Sequence, residues 1–402
     1  MLDFNHILST PGLDVQYFTG QGGIIGNLAT FTIANVSGLI TLPSSAASGG
    51  YLVGQAIYIT GTFTAGSITG YNSSGTTYYI IIVVSATQVI ISDTPGGTAV
   101  TSTTGTATPG ITVTLLSQWQ TWRKPRGVKN VYMIGVGGGA AGAVGANIAA
   151  TNAGGAGGGS GGQTCVWIPA FFVPDVLYIQ CGAGGQHPTT LTSGQLQQGG
   201  GPTYVVIEPS STLTPNMTLL LANGGVSGAV TGGALATIAG MPLAARGYYT
   251  FFVGQAGTAG GAAGSGNGAA LTFPSTGLMV MGGTGGGGGG VNGGTGGSIN
   301  QPAGVTFNDF FLPTYTGGPN PATGTPAGAG PAGISIKNFI MNYGGAGGGG
   351  ASNVSGGQAG AGGNGAPGSG GGGSGGSTTT AGANTLARPG NGGDGFVLIL
   401  SW

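Results

Sequence analysis

The sequence has very few charged residues. Its 402 residues include seven Lys or Arg and seven Asp or Glu, so the formal net charge is zero. Ordinary domains are about a quarter charged, and the surface of this chain must therefore consist mainly of hydroxyls, amides and bare backbone. Because a neutral chain has no positive field to attract polyphosphates, we expect no nucleic acid as the main partner.

Long hydrophobic segments and cysteines are also scarce. The longest apolar run, residues 78–84, is far shorter than the roughly 20 residues of a membrane helix, and no basic residue precedes a hydrophobic stretch at the start. We therefore expect neither membrane insertion nor a secretory signal. Cys165 and Cys181 are the only cysteines, which is too few for a disulfide framework. Buried free thiols are the favoured interpretation, and a cross-strand bridge is the alternative.

Glycine, in contrast, occupies 96 positions, and apolar residues make up 40% of the chain. Disordered segments combine low hydrophobicity with high net charge, and this chain has the opposite properties. Its apolar residues cluster in strand-sized runs between glycine tracts at about 137–162, 254–298 and 344–376. The composition therefore favours a packed core and an ordered role for the glycines.

The glycine tracts are compatible with only one kind of regular backbone. An interior glycine costs about 1 kcal/mol relative to alanine in a helix, and the absence of a strict triplet repeat excludes collagen. Extended, polyproline-II-like segments remain, because glycine lets backbones approach until N–H and C=O groups pair between neighbours. The sequence predicts a mainly β protein: a small N-terminal β-sandwich or barrel, then a large glycine-rich β domain with packed polyproline-II-like strands.

Three regions are predicted along the chain. Residues 1–23 form an irregular lead-in or attachment arm, and residues 24–117, with short β-branched or aromatic runs between turn clusters, form a small all-β module. Residues 118–402 form the glycine-rich β domain. In this last region, apolar strands are expected at 131–136, 165–172, 177–181, 204–207, 219–221, 249–253, 278–281 and 396–402.

Several motifs in residues 118–402 carry a family resemblance. The segment opens with WRKPRGVKNVYMIGVGGG, continues through YIQCGAGG, GGGPTYVVIE and LLLANGGVSG, and ends with GGDGFVLILSW. This order resembles the glycine-rich domain of tail-fibre and other surface proteins of tailed bacteriophages. GQAIYITGT, GYNSSGTTYYIIIVV and TQVIISDTPGGTAVTSTTG resemble a module of marine phage structural proteins. The resemblance implies that the first and last strands of the domain pair.

The function that follows is structural. We expect a virion protein of a tailed phage, a surface fibre or tail-fibre tip that contributes to host attachment. It would be assembled in the bacterial cytoplasm and displayed on the virion surface. A capsid or neck decoration (head fibre) without receptor binding is one alternative, and a glycine-rich ice-binding or extracellular structural protein is another. The expected partners are other virion proteins, through the N-terminal region, and a bacterial surface glycan or protein receptor. Monomer and homotrimer both remain open.

An enzyme is not expected, nor is a cofactor or a metal. Residues 137–142 satisfy the dinucleotide spacing G-x-G-x-x-G, but no helix can follow in such glycine-rich sequence, and residues 149–162 contain no acidic residue. His6 and His187 are isolated, without a histidine or cysteine at metal-ligand spacing. The few acids, such as Asp175, Glu208 and Asp309, are expected to cap turns or face water.

Two sets of residues are candidate surface contacts. Four of the seven basic residues, Arg123, Lys124, Arg126 and Lys129, form a small cluster. As a functional site, the cluster would contact an anionic partner, either a neighbouring subunit or a surface glycan. A solvated loop without such a contact is the favoured alternative. The second set is aromatic: Tyr248, Tyr249, Phe310, Phe311 and Tyr315. These rings suit sugars or protein receptors, although packing in the core or between subunits is favoured for each.

Overall fold

The structure is a computed structural model, and it describes these residues: 12–20, 24–27, 32–33, 39–41, 53, 56–62, 67–72, 75–85, 88–94, 96–103, 105–106, 112–116, 119–146, 153–187, 199–208, 217–226, 248–264, 266–272, 280–288, 293–300, 315–320, 327–336, 341–350, 358–377 and 386–402. The chain divides into two compact units, Gln21–Gln118 and Met1–Gly20 together with Trp119–Trp402. In the described ranges it is mainly β, with one 3-10 turn and no α-helix.

The strands of the first half of the chain are β1 (Asp14–Thr19), β2 (Ile24–Asn27), β3 (Thr32–Ile33), β4 (Leu39–Thr41), β5 (Ala56–Thr60), β6 (Ser67–Ile68), β7 (Thr76–Val83), β8 (Gln88–Ser92), β9 (Ser102–Thr103), β10 (Gly105–Thr106), β11 (Thr112–Leu116), β12 (Gln120–Arg123), β13 (Asn130–Val136), β14 (Gln163–Pro169) and β15 (Val176–Gln180). The 3-10 turn Ala170–Phe172 follows β14. The remaining strands are β16 (Thr203–Val206), β17 (Thr218–Ala222), β18 (Tyr248–Phe252), β19 (Leu271–Thr272), β20 (Ile299–Asn300), β21 (Ser335–Ile336), β22 (Met341–Asn342) and β23 (Phe396–Ser401).

The unit Gln21–Gln118 contains an eight-stranded antiparallel sheet in the order β10-β3-β4-β8-β7-β5-β11-β2, and a two-stranded sheet, β6-β9. Alternating residues of the long strands are fully buried, among them Ile57, Ile59, Tyr78 and Ile80, as expected for a sheet with one face against a core. In the described strands β10 and β2 stand at opposite ends of the sheet, which does not close. Of the two predicted architectures for this module, the closed barrel was therefore wrong.

The other unit is framed by two sheets. A five-stranded sheet has the order β1-β23-β13-β14-β18, and a four-stranded sheet has the order β12-β15-β16-β17. The side chains buried between them include Trp122, Met133, Val166, Leu220 and Ile399. Strand β23 lies antiparallel to β13, which confirms that the first and last strands predicted for the glycine-rich domain, at 131–136 and 396–402, pair. Strand β12, which precedes them, was not predicted and pairs with β15.

Strand β1 differs from the prediction for the start of the chain. Residues 14–19 were expected to be part of an irregular lead-in, but they pair antiparallel with β23 and form an edge of the five-stranded sheet. Phe18 packs against the core between the sheets, and the N–H of Gly20 donates to the carbonyl of Gly395 at 3.0 Å. The prediction was wrong here because Pro11 and the flanking glycines are typical of irregular structure, and the alternating strand between them is short.

The glycine tracts form a bundle of extended segments joined by backbone hydrogen bonds. Ala140, Ala143 and Ala146 donate to the carbonyls of Gly159, Ala156 and Ala153, so every third residue of one segment meets every third residue of an antiparallel neighbour. A polyproline II helix has three residues per turn and no internal hydrogen bonds. The period of three is therefore the one expected for polyproline-II-like strands whose N–H and C=O groups pair between neighbours, as predicted.

Segment 369–377 shows how densely the bundle is connected. Its N–H groups donate to segments 281–288, 140–146 and 358–366, one neighbour for each face of the three-residue turn. Its carbonyls accept from residues of three further segments, 153–162, 343–350 and 386–395. The donor bonds are Gly370 to Met281, Gly373 to Thr284, Gly376 to Gly287, Gly371 to Ala140, Ser374 to Ala143, Ser377 to Ala146, Gly372 to Gly363 and Gly375 to Gly360, with N–O distances of 2.8–3.1 Å.

Such contacts leave no room for a side chain. A Cβ atom at Gly373 would overlap the carbonyl oxygen of Gly155, and one at Gly371 would overlap that of Gly390. The obstacle is backbone on another segment, which has itself been fixed by hydrogen bonds. Glycine is therefore required at these positions by the close approach of the segments.

Buried hydroxyls add side-chain hydrogen bonds to the backbone pairing of the bundle. Thr284 Oγ1 donates to the carbonyl of Gly297 at 2.7 Å and accepts the N–H of Gly347 at 2.8 Å. The same double role is played by Ser160, Thr203 and Ser369. These side chains form hydrogen bonds with buried backbone groups, and an unpaired buried backbone group costs free energy.

The two cysteines are free and buried. Cys165 lies in β14 of the five-stranded sheet, and Cys181 directly follows β15 of the four-stranded sheet. This confirms the favoured interpretation over a cross-strand bridge. Burial raises the pKa of Cys181 to about 12, with a smaller contribution from the nearby Asp394, so the thiol is held in its unreactive form.

Candidate functional site

The basic cluster lies at the end of β12 and on the turn that leads to β13. Arg123 is the last residue of β12, and its neighbour Trp122 is fully buried between the two sheets. Since side chains alternate along a strand, Arg123 points to solvent. In the turn, Gly127 adopts a φ of +83°, a left-handed conformation that suits glycine. The turn therefore presents its basic side chains outside the core.

Lys124 is engaged in holding a neighbouring loop. Its Nζ lies 3.1 Å from Asp175 Oδ1, and it donates to the carbonyls of Val173 at 2.7 Å and Ala170 at 3.3 Å. The Asp175 side chain is 91% exposed, so the ion pair itself contributes about 0–1 kcal/mol. The two carbonyl contacts give Lys124 a structural role, which the sequence pattern did not indicate.

The loop held by Lys124 exposes an aromatic ring. Residues Ala170–Phe172 form the 3-10 turn, with Ala170 buried and its N–H bonded to the carbonyl of Lys129 at 2.8 Å. Phe171 is 78% exposed. Its ring centroid lies 3.8 Å from that of Phe172. The sequence prediction placed both rings in a strand over 165–172, although Pro169 was a signal that the strand ends there.

The turn and the loop enclose a cleft of about 700 Å³. Arg123, Lys124 and Arg126 line it on one side, and Phe171 and Asp175 line it on the other. Neither arginine forms an ion pair with any described residue, whereas Lys124 does. The cleft thus combines two exposed guanidinium groups with an exposed aromatic ring.

Lys129, the fourth basic residue of the predicted cluster, is placed differently. Its side chain is exposed and does not line the cleft. Its backbone N–H donates to the carbonyl of Trp402 at 2.7 Å, next to the pairing of β13 with β23. Three of the four basic residues therefore share one cleft, and the functional role of all four stays a prediction.

Tyr248 and Tyr249 are adjacent in β18 and face opposite sides of the sheet. Tyr248 is 77% exposed, and its ring stacks on that of Trp167 with centroids 5.5 Å apart. Tyr249 packs against the core between the sheets, and its hydroxyl donates to the carbonyl of Leu219 at 3.4 Å. Tyr248 remains available as a surface contact, and the geometry of Tyr249 is that of a core residue.

Of the remaining aromatic candidates, the structure describes Tyr315. Tyr315 is half-buried and packs against Met281, Ile299 and Tyr343, with its ring centroid 5.5 Å from that of Tyr343. Its contacts are those of bundle packing. Phe310 and Phe311 lie outside the described residues.

One carboxyl group is partly buried where the bundle meets the sheets. Asp394 Oδ1 accepts the N–H of Gly184 at 2.7 Å, and no described cation pairs with it. Burial raises the pKa of Asp394 to about 7, and the hydrogen bond from Gly184 opposes this change. Asp394 is therefore a partly buried acid whose pKa is raised towards neutral pH.

The geometry bears on the catalytic alternatives as well. Residues 137–146, which include the G-x-G-x-x-G spacing, are extended and bonded to neighbouring segments, unlike the strand–loop–helix of a dinucleotide site. Within the described ranges, no three His, Cys, Asp or Glu side chains are grouped as metal ligands. The backbone N–H of His187 donates to Asn391 Oδ1 at 2.9 Å.

Comparison with known proteins adds no assignment. No protein-family model matches the chain. No curated protein matches it at a significant level. In the parts of the chain that the structure describes, no helix is long and apolar enough to cross a membrane.

Proposed function

We propose that the protein is a structural component of a tailed-phage virion, a surface fibre or tail-fibre tip that contributes to host attachment and has no catalytic role. The observation that carries the proposal is the glycine bundle, which is hydrogen-bonded throughout its described segments and framed by the pairing of β13 with β23. The motif order from WRKPRGVK to GGDGFVLILSW, which resembles the glycine-rich domains of phage surface proteins, supports the same proposal.

A stiff scaffold suits an attachment protein. Segment 369–377 is bonded to six neighbouring segments, so the position of each segment is fixed by several others. Binding residues in proteins are commonly displayed on loops that a rigid scaffold positions. The connections between the bundle's segments would serve as that display surface.

Scarcity of charge supports an attachment surface whose contacts, apart from those of its few charged residues, depend little on salt. With seven basic and seven acidic residues in 402, most of the surface contributes hydroxyls, backbone and aromatic rings. Contacts of this kind are screened little by ions. A virion surface exposed to changing salt would keep such contacts.

Analysis of purified virions would test the location. Mass spectrometry of virions from the phage that encodes the chain should find the protein, and gold-labelled antibodies should mark the tail tip or a fibre. Labelling of the capsid or neck would favour a decoration protein instead. Absence from intact virions would overturn the proposal, and an assay for thermal hysteresis would then test the ice-binding alternative.

A competition experiment would test attachment separately from location. Host cells incubated with the purified chain should adsorb the phage more slowly, because the free protein occupies the receptor. The proposed partners in the virion bind through the N-terminal region, so a fusion at that end should not reduce competition. Light scattering on the purified chain would decide between monomer and homotrimer.

A further inference from the structure

We propose that the cleft between the 123–128 turn and the 170–176 loop binds an acidic saccharide, a sugar that carries a carboxylate or phosphate group. The inference rests on the proposed function, since it names a ligand class for a protein of host attachment. The two arginines of the cleft provide the anion site, and Phe171 provides a face for the sugar ring.

Two of the three basic side chains that line the cleft are not engaged by any described group and could form an anion site. Lys124 is committed to Asp175 and to two carbonyl oxygens. Arg123 and Arg126 are exposed, and no described acid pairs with either. A guanidinium presents a planar fork of N–H donors that matches the two oxygens of a carboxylate or phosphate. The cleft therefore has unused positive charge in a chain that has little of it.

The size of the cleft and its aromatic wall favour a sugar over a flat protein surface. A volume of about 700 Å³ falls within the range of about 300–1,000 Å³ typical of small-molecule sites. Phe171, at 78% exposed, offers an apolar face that an uncharged part of the ligand would cover. Since its loop is fixed by Lys124, the ring is positioned before the ligand arrives.

The test is a titration of the full chain with defined sugars, followed by calorimetry or ligand-observed NMR. Trigalacturonic acid supplies carboxylates, glucose 1-phosphate supplies a phosphate on a sugar, inorganic phosphate supplies the anion alone, and maltotriose is the neutral control. We expect the two acidic sugars to bind, inorganic phosphate to bind more weakly, and maltotriose to show no binding. Equal binding of maltotriose, or no binding of either acidic sugar, would overturn the proposal.

Matched variants separate the cleft from general charge. Arg123→Gln combined with Arg126→Gln should weaken binding of the acidic sugar by about tenfold or more, because charge-assisted hydrogen bonds are lost. Arg388→Gln removes an exposed arginine elsewhere in the chain and should leave binding unchanged. Phe171→Ala should weaken binding of the sugars by about fivefold and leave that of inorganic phosphate unchanged. Unaltered thermal unfolding would show that each variant is folded.

The result is distinguishable from failure of the proposed function. If the acidic sugars do not bind, but the cleft variants lose incorporation into virions, the cleft contacts a neighbouring subunit. The inference would then be wrong while the virion assignment stands. If the sugars bind but the chain is absent from virions, the virion assignment would be wrong while the saccharide site in the cleft stands.

Discussion

The five-stranded and four-stranded sheets that enclose Trp122 form a two-sheet sandwich. This sandwich and the glycine bundle are packed by different physical means. Between the sheets, side chains such as Trp122 and Leu220 fill the space and are fully buried. In the bundle, segments such as 369–377 touch through their backbones, and hydrogen bonds replace side-chain packing. A core can therefore be assembled from main chain alone when no Cβ separates the segments.

Each region supplies what the other lacks. Ordering glycine costs more conformational entropy than ordering any other residue, and the bundle buries little apolar side-chain area to offset it. Val136, Phe396 and Val280 form a buried cluster that joins the sheet to the bundle. The sandwich therefore contributes hydrophobic stabilisation, and the bundle contributes a rigid hydrogen-bonded body.

A single methyl group in the bundle should have the largest effect. Gly373→Ala places a Cβ onto the carbonyl oxygen of Gly155, so the backbones must separate and their hydrogen bonds break. We expect destabilisation of more than about 4 kcal/mol, or failure to fold, measured by urea unfolding. Gly264→Ala is the control, because nothing lies near its Cβ although φ is +83°; it should cost only about 1–2 kcal/mol. Equal effects would contradict the close packing of the segments.

Removing a side chain from the sandwich should have the next largest effect. Leu220 is fully buried and fills the space left by Gly135 on the facing sheet. Leu220→Ala should lower the free energy of unfolding by about 2–5 kcal/mol through lost burial and a cavity. Leu220→Met keeps most of the volume and should cost less than about 1.5 kcal/mol. A similar loss in both variants would show that volume is not what matters at this position.

The buried hydroxyl of Thr284 tests the bundle's polar network. Thr284→Val keeps the shape but leaves the carbonyl of Gly297 and the N–H of Gly347 unpaired. Each unpaired buried group costs about 1–3 kcal/mol. Because costs at neighbouring sites are not fully additive, we expect a loss of about 2–4 kcal/mol. Thr284→Ser retains the hydroxyl and should recover most of the stability. If valine were tolerated as well as serine, these hydrogen bonds would not stabilise the bundle.

The smallest expected effect is a change in the free energy of unfolding with pH, caused by Asp394 where the bundle meets the sheets. The pKa of Asp394 is raised to about 7 in the folded protein, from 3.8, so folding favours its protonated form. The stability from this group is present in full below pH 3.8 and is lost as the pH rises towards 7. A tenfold difference in proton affinity between the folded and unfolded states corresponds to about 1.4 kcal/mol. Because the carboxyl is partly exposed and solvent screens it, we expect less than the full shift implies, a decrease of about 1–3 kcal/mol over that interval.

Two variants would isolate this effect in thermal unfolding at several pH values. Asp394→Asn should remove the decrease between pH 4 and 7. Asp175→Asn, which changes a side chain that is 91% exposed, should keep it. A decrease that persists in Asp394→Asn would assign the pH dependence to another group.

The sequence predicted the features that depend on local pattern. The runs at 131–136 and 396–402 match the strands β13 and β23 to within one residue at either end, because β-branched and apolar residues mark them clearly. Of the strand predicted at 278–281, only Val280 and Met281 lie in the described residues, and Val280 forms an isolated bridge with Asn342. The pattern could not reveal which segments of the bundle are neighbours, since every glycine tract offers the same donors and acceptors.

The site was less predictable than the fold. The cluster of basic residues was visible, but its division into the engaged Lys124 and the free Arg123 and Arg126 depends on the loop at 170–175, some 46 residues away in sequence. The exposure of Phe171 depends on the same loop. Strand β1 was missed for a related reason, because its partner β23 lies at the other end of the chain.

Amide hydrogen exchange, resolved along the intact chain, tests the central claim most directly. If extended glycine segments are fixed by hydrogen bonds between neighbours, residues 137–146, 153–162 and 369–377 should exchange as slowly as the strands β13 and β23. Exchange of these glycines at the rate of an unfolded chain, while the strands remain protected, would contradict the claim that the bundle is rigid.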